Sequence, residues 1–404
     1  MKRPQHSPWL YRFAIATALT TLVLLGIGGL VTSKGAGMAV PDWPTSYGYN
    51  MFWLPFSWWK GGIFYEHSHR LIAAFVGLLT SILAAWIWGR ETTGRVRWVG
   101  WATILILVMM LGHRGSGNAS GVGVDVPFHF KLLAGLMPIL LIFSVVQCIR
   151  TRGALRWLAM AAVFAVIFQG ILGGFRVALY KDQIGIAHAA LAQLFFTLIC
   201  SIVLLVGRWW NEANAEPLAK EPCLRHWFLA ATVLIFAQLA LGAAMRHQHA
   251  GLAIWDFPLA HGQLWPDTSP DAVLRYNQQR EELVALNQIT AGQVRLQMLH
   301  RIGALLVTIA VTVSAWLTLK RVGQGNPLRK TALAWLALIG IQVALGVSTV
   351  LMNKPADIAT AHVVFGAFSL ATGVALVLMT WRSEILSFTP DGSVLPSSDI
   401  AVAN

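Results

Sequence analysis

The sequence predicts an all-α polytopic membrane protein, and three observations predict it. The chain of 404 residues is 56% hydrophobic and only 12% charged. Apolar runs of about 20 residues recur along it, each long enough to span a bilayer. The short alternating segments that would build a membrane β-barrel do not take their place. Inside a bilayer every backbone polar group needs an internal partner, so such runs fold as helices.

Ten spans are expected, at roughly 11–33, 68–89, 97–112, 129–149, 156–176, 188–207, 227–246, 298–319, 331–352 and 362–381. The first run follows Lys2, Arg3 and Arg12; it is long for a signal peptide and lacks a small-residue cleavage site, so it reads as a retained anchor. Basic connectors then alternate with long loops. Arg90, Arg95 and Arg97 form one connector, Arg150, Arg152 and Arg156 the next, then Arg208, Lys220 and Arg225, then Lys320, Arg321, Arg329 and Lys330, and last Arg382. Positive connectors stay in the cytoplasm, which places both termini there in a cell (inner) membrane. The outer loops are then 34–67, 113–128, 177–187, 247–297 and 353–361, with a polar surface helix expected within 270–290.

The net charge of +13 would suggest nucleic acid in a soluble protein. Here the cations sit in short connectors facing anionic lipid, so the partner they imply is the bilayer, not nucleic acid. Cys148, Cys200 and Cys223 have no CxxC or similar spacing, which removes zinc, iron–sulfur and disulfide readings.

An internal repeat organises the chain. The stretch GGLVTSKGAGMAVPDWPTSYG at 28–48 aligns without a gap on GAAMRHQHAGLAIWDFPLAHG at 242–262. Next, EHSHRLIAAFVGLL at 66–79 answers QMLHRIGALLVTIA at 297–310. QGILGG at 169–174 answers QVALGV at 342–347, and GIAHAALAQLFF at 185–196 answers ATAHVVFGAFSL at 359–370. Two pseudosymmetric four-helix bundles follow, residues 1–212 and 213–404. An extra hairpin at about 95–151 is inserted in the first.

His69, His188, His300 and His362 occupy equivalent places, each at the outer end of a helix. Ionisable side chains near membrane depth are costly and mark function. Paired imidazoles without a cysteine or carboxylate cluster point to haem iron more than to zinc, which gathers three or four ligands. His67, His113, His129, His247, His249 and His261 have no counterpart in this scheme and read as loop or interface residues, His129 being the best outsider. Arg70 and Arg301 follow their histidines and suit haem propionates or, equally, snorkelling to the interface. Glu66 precedes His69 by three residues, where the second half has Gln297. A carboxylate there can act as a base or stabilise positive charge; it can also simply favour a helix N-terminus. Asp42 and Asp256 read as turn-capping residues beside a proline, and the Gly28/Gly29 and Gly173/Gly174 pairs as close-packing sites.

These motifs resemble the haem A synthase family over nearly the whole chain except the hairpin, the 262–296 loop and the tail after 382. The resemblance implies eight helices in two bundles, with a b-type haem between His300 and His362 and haem O received near His69 and His188. It implies a role for Glu66 in oxidising a ring methyl of haem O to the formyl group of haem A by successive hydroxylations. Haem O synthase and terminal oxidase assembly factors would be its partners; self-association as a homo-oligomer stays open. Two departures stand out: ten expected helices instead of eight, and no cysteine in the 34–67 loop. The residues alone also fit a quinol-linked bis-histidine dihaem electron carrier or a haem transporter.

Overall fold

A computed structural model of the chain describes residues 7–114, 142, 146, 154–179, 181–211, 222–279 and 288–387. Its long helices are α1 (Pro8–Ser33), α2 (Gly61–Glu91), α3 (Gly94–Arg114), α4 (Ala154–Leu179) and α5 (Asp182–Val206), followed by α6 (Pro222–His247). A short α7 (Pro270–Gln279) lies in the long loop, and α8 (Ala291–Arg321), α9 (Pro327–Leu351) and α10 (Ala356–Ser387) complete the chain. Among the described residues there is no β-strand. Eight of these helices are long and apolar enough to cross a membrane, and they match eight of the ten expected spans. The span expected at 97–112 is helical as α3 but is not one of the eight. The span expected at 129–149 and the boundary expected at 212/213 lie outside the described residues.

Local chemistry sets the helix ends. Ser7 caps α1 ahead of Pro8, and Asn326 caps α9 ahead of Pro327. Thr290 and Gln293 form a reciprocal capping box at the start of α8. At 31 residues each, α2 and α8 run about 46 Å, well beyond a hydrocarbon core of about 30 Å.

The packing forms two four-membered rings. Helices α1, α2, α4 and α5 each touch the next and close on themselves, as do α6, α8, α9 and α10. The rings meet where α5 lies against α6 and α10, and where α1 lies against α10. Exchanging α1 with α6 and α5 with α10 leaves this contact scheme unchanged, as a two-fold relation between the halves requires. Helix α3 leans on α2 and α4 from outside the first ring. Each ring has its own apolar core, with Leu83, Trp88, Ile199 and Ile202 in one and Phe228, Trp335 and Leu370 in the other. The buried Trp335 indole donates to the Ser369 carbonyl at 2.8 Å, as a buried indole N–H must.

Candidate functional site

The four paired histidines sit at the loop end of the rings. They do not open their helices, as the hydrophobic onset suggested. Each lies roughly two turns inside its helix, because α2, α5, α8 and α10 begin at Gly61, Asp182, Ala291 and Ala356. The apolar run shows where a helix enters lipid, not where it starts.

His300 and His362 face each other with ring centroids 6.5 Å apart and planes at 72°. In the first half His69 and His188 lie within electrostatic reach of each other. A glutamine stands behind three of the four. Gln169 donates to the His188 carbonyl at 3.2 Å, Gln342 to that of His362 at 2.8 Å, and Gln238 to that of His300 at 2.8 Å.

A glycine faces every one of these rings. A methyl added at Gly28 would come 3.0 Å from His69 Cε1, and one at Gly242 would come 3.1 Å from His300 Cε1. The corresponding distances are 3.5 Å for Gly173 and His188 and 3.4 Å for Gly346 and His362. Gly28 and Gly173 thus make room for imidazoles. Their neighbours do the close packing expected of the pairs: Gly29 lies against Thr360 and Gly174 against Trp43.

Loops 34–60 and 248–263 fold over these ends in the same way. Asp42 accepts the backbone N–H groups of Tyr47 at 2.6 Å and Gly48 at 2.9 Å. Asp256 accepts those of His261 at 2.7 Å and Gly262 at 2.8 Å. Tyr47 and His261 share φ 52°. Burial by itself raises the Asp42 carboxyl, but bonds from Gly48, Thr45 and Tyr47 outweigh it and hold the group below its ordinary value. Asp256 is held down in the same way, by Gly262 and His261 against its burial. Both aspartates have the turn-building role that the Pro-containing motif suggested.

Arg70 and Arg301 clasp these loops. Arg70 donates to the carbonyls of Asp42 at 2.6 Å, Thr45 at 3.0 Å and Val40 at 2.8 Å, and to Glu66 at 2.7 Å. Arg301 donates to the carbonyls of Asp256 at 2.6 Å and Leu259 at 2.8 Å. Glu66, buried in α2, accepts the Val40 N–H at 2.9 Å on its other oxygen. Gln297 repeats this contact by accepting the Ile254 N–H at 2.7 Å.

Two expected loop histidines, His67 and His247, lie elsewhere, while His261 stays in its loop. His67 is fully buried on α2, 3.3 Å from the Ser46 hydroxyl and edge-on to Trp59. The early start of α2 carries it inward. His247 is buried at the end of α6. His261 stacks on Tyr276 of α7 with centroids 3.6 Å apart; burial lowers its pKa, against the pull of Asp256. His129 is outside the described residues.

Two further cations reach the loop end of the helices. Arg176, at the end of α4, has its Nε buried without a hydrogen-bond partner. It lies beside Gly37, where an added methyl would come 2.7 Å from its guanidinium, and beside Gly185, where an added methyl would come 3.1 Å from its Nε and would collide with His247. Arg246, at the end of α6, donates across the ring boundary to the Gly29 carbonyl and the Ser33 hydroxyl. Among the described residues no three His, Cys, Asp or Glu side chains cluster as a metal site.

The model of COX15-CtaA, cytochrome oxidase assembly protein, matches residues 109–374. A protein named heme A synthase from Shouchella clausii is 26% identical over 85% of this chain and 87% of its own length. One of the same name from Methylobacterium nodulans is 25% identical over 89% and 88%, and one from Methylorubrum extorquens 22% identical over 99% and 92%. With its repeat, its paired histidines and a match over well over half its length, the chain belongs to the COX15-CtaA family of cytochrome oxidase assembly proteins, the family of the heme A synthases.

Proposed function

We propose that this protein is a haem A synthase, an oxidoreductase that oxidises a ring methyl of haem O to a formyl group by successive hydroxylations. The N-terminal half, with His69 and His188, receives haem O. His300 and His362 hold a resident b-type haem. The observation that carries this reading is a pair of equivalent two-histidine sites in which Glu66 of the first half stands where the second half has Gln297.

The residues fit such a ligand. Two imidazoles sharing a metal at about 2 Å per bond stand with centroids roughly 6 Å apart, close to the 6.5 Å of His300 and His362. The Nδ1 atoms of His69, His188 and His362 and the Arg176 Nε are buried without partners. A cation at membrane depth takes a carboxylate or a backbone carbonyl as its partner, and a porphyrin carboxylate matches a guanidinium. Arg176 is therefore assigned to that carboxylate in the first half. The Arg70 fork is spent on the loop and on Glu66, so Arg70 is assigned to holding the loop closed. Arg301 makes two hydrogen bonds and keeps donors for a propionate.

Bound haem iron supplies the redox chemistry. The chain's part is to orient and to exclude water. Histidine pairs fix the ring plane, glycines clear its edges, and the clasped loops cover the site. Glu66, one turn from His69, places a negative charge where positive charge develops during oxidation. Acting as a base, it would first have to release Val40 or Arg70. The basic connectors Arg90, Arg95, Arg97 and Arg156 lie at the opposite end of the helices, which supports cytoplasmic termini and sites toward the outer face. Haem O synthase and terminal oxidase assembly factors are its proposed partners.

The test is haem extraction and chromatography of the purified protein, expressed with and without a haem O supply. Haem A or hydroxylated haem O only with the supply bears the proposal out. Haem B alone in both cases overturns it in favour of an electron carrier.

A further inference from the structure

The two histidine pairs differ in one supporting group. In the second half Gln238 on α6 places its Nε2 3.0 Å from His300 Nδ1 and 2.8 Å from the His300 carbonyl. The amide fits only because residue 303 is glycine: a methyl there would collide with Gln238 Oε1. The repeat puts Leu24 and Ile72 at the corresponding positions of the first half, and both pack into the apolar core. One half thus spends a glutamine and a glycine on a polar contact that the other half fills with hydrocarbon.

The contact bears on the electronics of the ring. An amide N–H that approaches Nδ1 needs it as an acceptor, which leaves the ring proton on Nε2. Ligation through Nε2 moves that proton to Nδ1, and the hydrogen bond Nδ1 then makes tunes the ligand. Gln238 Oε1 is buried with no other partner. A half-turn of the amide presents it to Nδ1–H. The bond to the His300 carbonyl is given up, but that carbonyl lies inside α8, where the helical ladder already serves it.

We propose that Gln238 is a positioning residue for His300: its amide accepts the Nδ1 proton of the ligating ring, makes His300 the stronger electron donor, and lowers the reduction potential of the haem in the C-terminal half. His69 has no such amide: residue 24 is leucine and offers the ring only its backbone carbonyl. This inference rests on the haem assignment above.

The experiment is a redox titration of the protein purified without a haem O supply, following the absorption of the haem it retains. Gln238→Leu, the residue of the first half, should keep its haem and shift the potential upward. Gln238→Glu, which keeps the acceptor, should leave the potential at or below the native value. An unshifted potential in Gln238→Leu with full haem content overturns the proposal, as does an equal upward shift in both variants. If Gln238→Leu does not fold, Gly303→Ala displaces the same amide and is read in the same way. His300→Ala separates the two levels: unchanged haem content there sinks the haem assignment, whereas lost haem with an unshifted Gln238→Leu sinks only the role of the amide.

Discussion

Glu66 and Gln297 hold the same place in their halves, each accepting one backbone N–H from the loop folded over its histidine site, from Val40 at 2.9 Å and from Ile254 at 2.7 Å. The glutamine shows that the loop can be held without charge. What the carboxylate adds is its ion pair with Arg70 at 2.7 Å and a negative charge beside His69.

Glu66→Gln therefore separates holding from chemistry. The variant should fold with its loop in place and lose about 1.5–3 kcal/mol, the range for hydrogen bonds to charged groups. Haem A production should fall at least about a hundredfold, the lower end of what the loss of one electrostatic group costs. Chromatography of extracted haems, alongside thermal unfolding in detergent, checks both. Undiminished product would confine Glu66 to the loop.

Arg70→Ala and Arg301→Ala should each free one loop and leave the other closed. Backbone carbonyls lose their donors in either case, at a cost of roughly 1–3 kcal/mol for each buried group left unsatisfied. Hydrogen exchange should rise across 39–48 in the first variant and across 253–262 in the second. Arg70→Lys should not restore protection, because one ammonium cannot replace a planar fork.

The loop that carries His261 should respond to mild acid. Asp42 and Asp256 titrate below their ordinary value when folded. Their contribution is present above the unfolded value of about 3.9 and is lost as pH falls through the lowered folded value. His261 is also lowered by burial, outweighing Asp256, with Arg301 pushing the same way. Its neutral form is the folded one, so protonation below the unfolded value of about 6.5 opposes folding of its loop. Exchange in 253–263 should increase below about pH 6.5, and His261→Phe should remove that increase. Loosening that survives the substitution would refute the assignment to His261.

Gly242→Ala should weaken haem retention more than Gly346→Ala, since the added methyls come 3.1 Å and 3.4 Å from their histidines. Gly170→Ala meets nothing within 4 Å and should be silent. Haem content per chain, read from absorption, ranks the three.

The fold was legible because lipid enforces it. Each long apolar run had to be a helix, and the AGxAxxDxP and His-Arg motifs exposed the repeat. Helix starts were misplaced because polar turns before the apolar run continue the helix. The capping box at Thr290 and Gln293 was a signal that hydrophobicity eclipsed. His67 was missed for the same reason: one to two extra turns of α2 carry it from loop to interior. Gln238 and Gly303 carried no motif, and only their meeting across α6 and α8 gives them meaning.

The contact scheme of the two rings has a consequence for assembly. Arg246 of the second half bonds to Gly29 and Ser33 of the first, and Ser33 lies 3.5 Å from Thr360. Helices α1 and α5 thus rest against surfaces supplied by α6 and α10, and either half alone would bare that seam to lipid. Opening the polypeptide between Asn211 and Pro222 leaves the contacts of Arg246, Ser33 and Thr360 in place. Two separately translated fragments should therefore find each other in the bilayer and co-purify, with the backbone link between them dispensable.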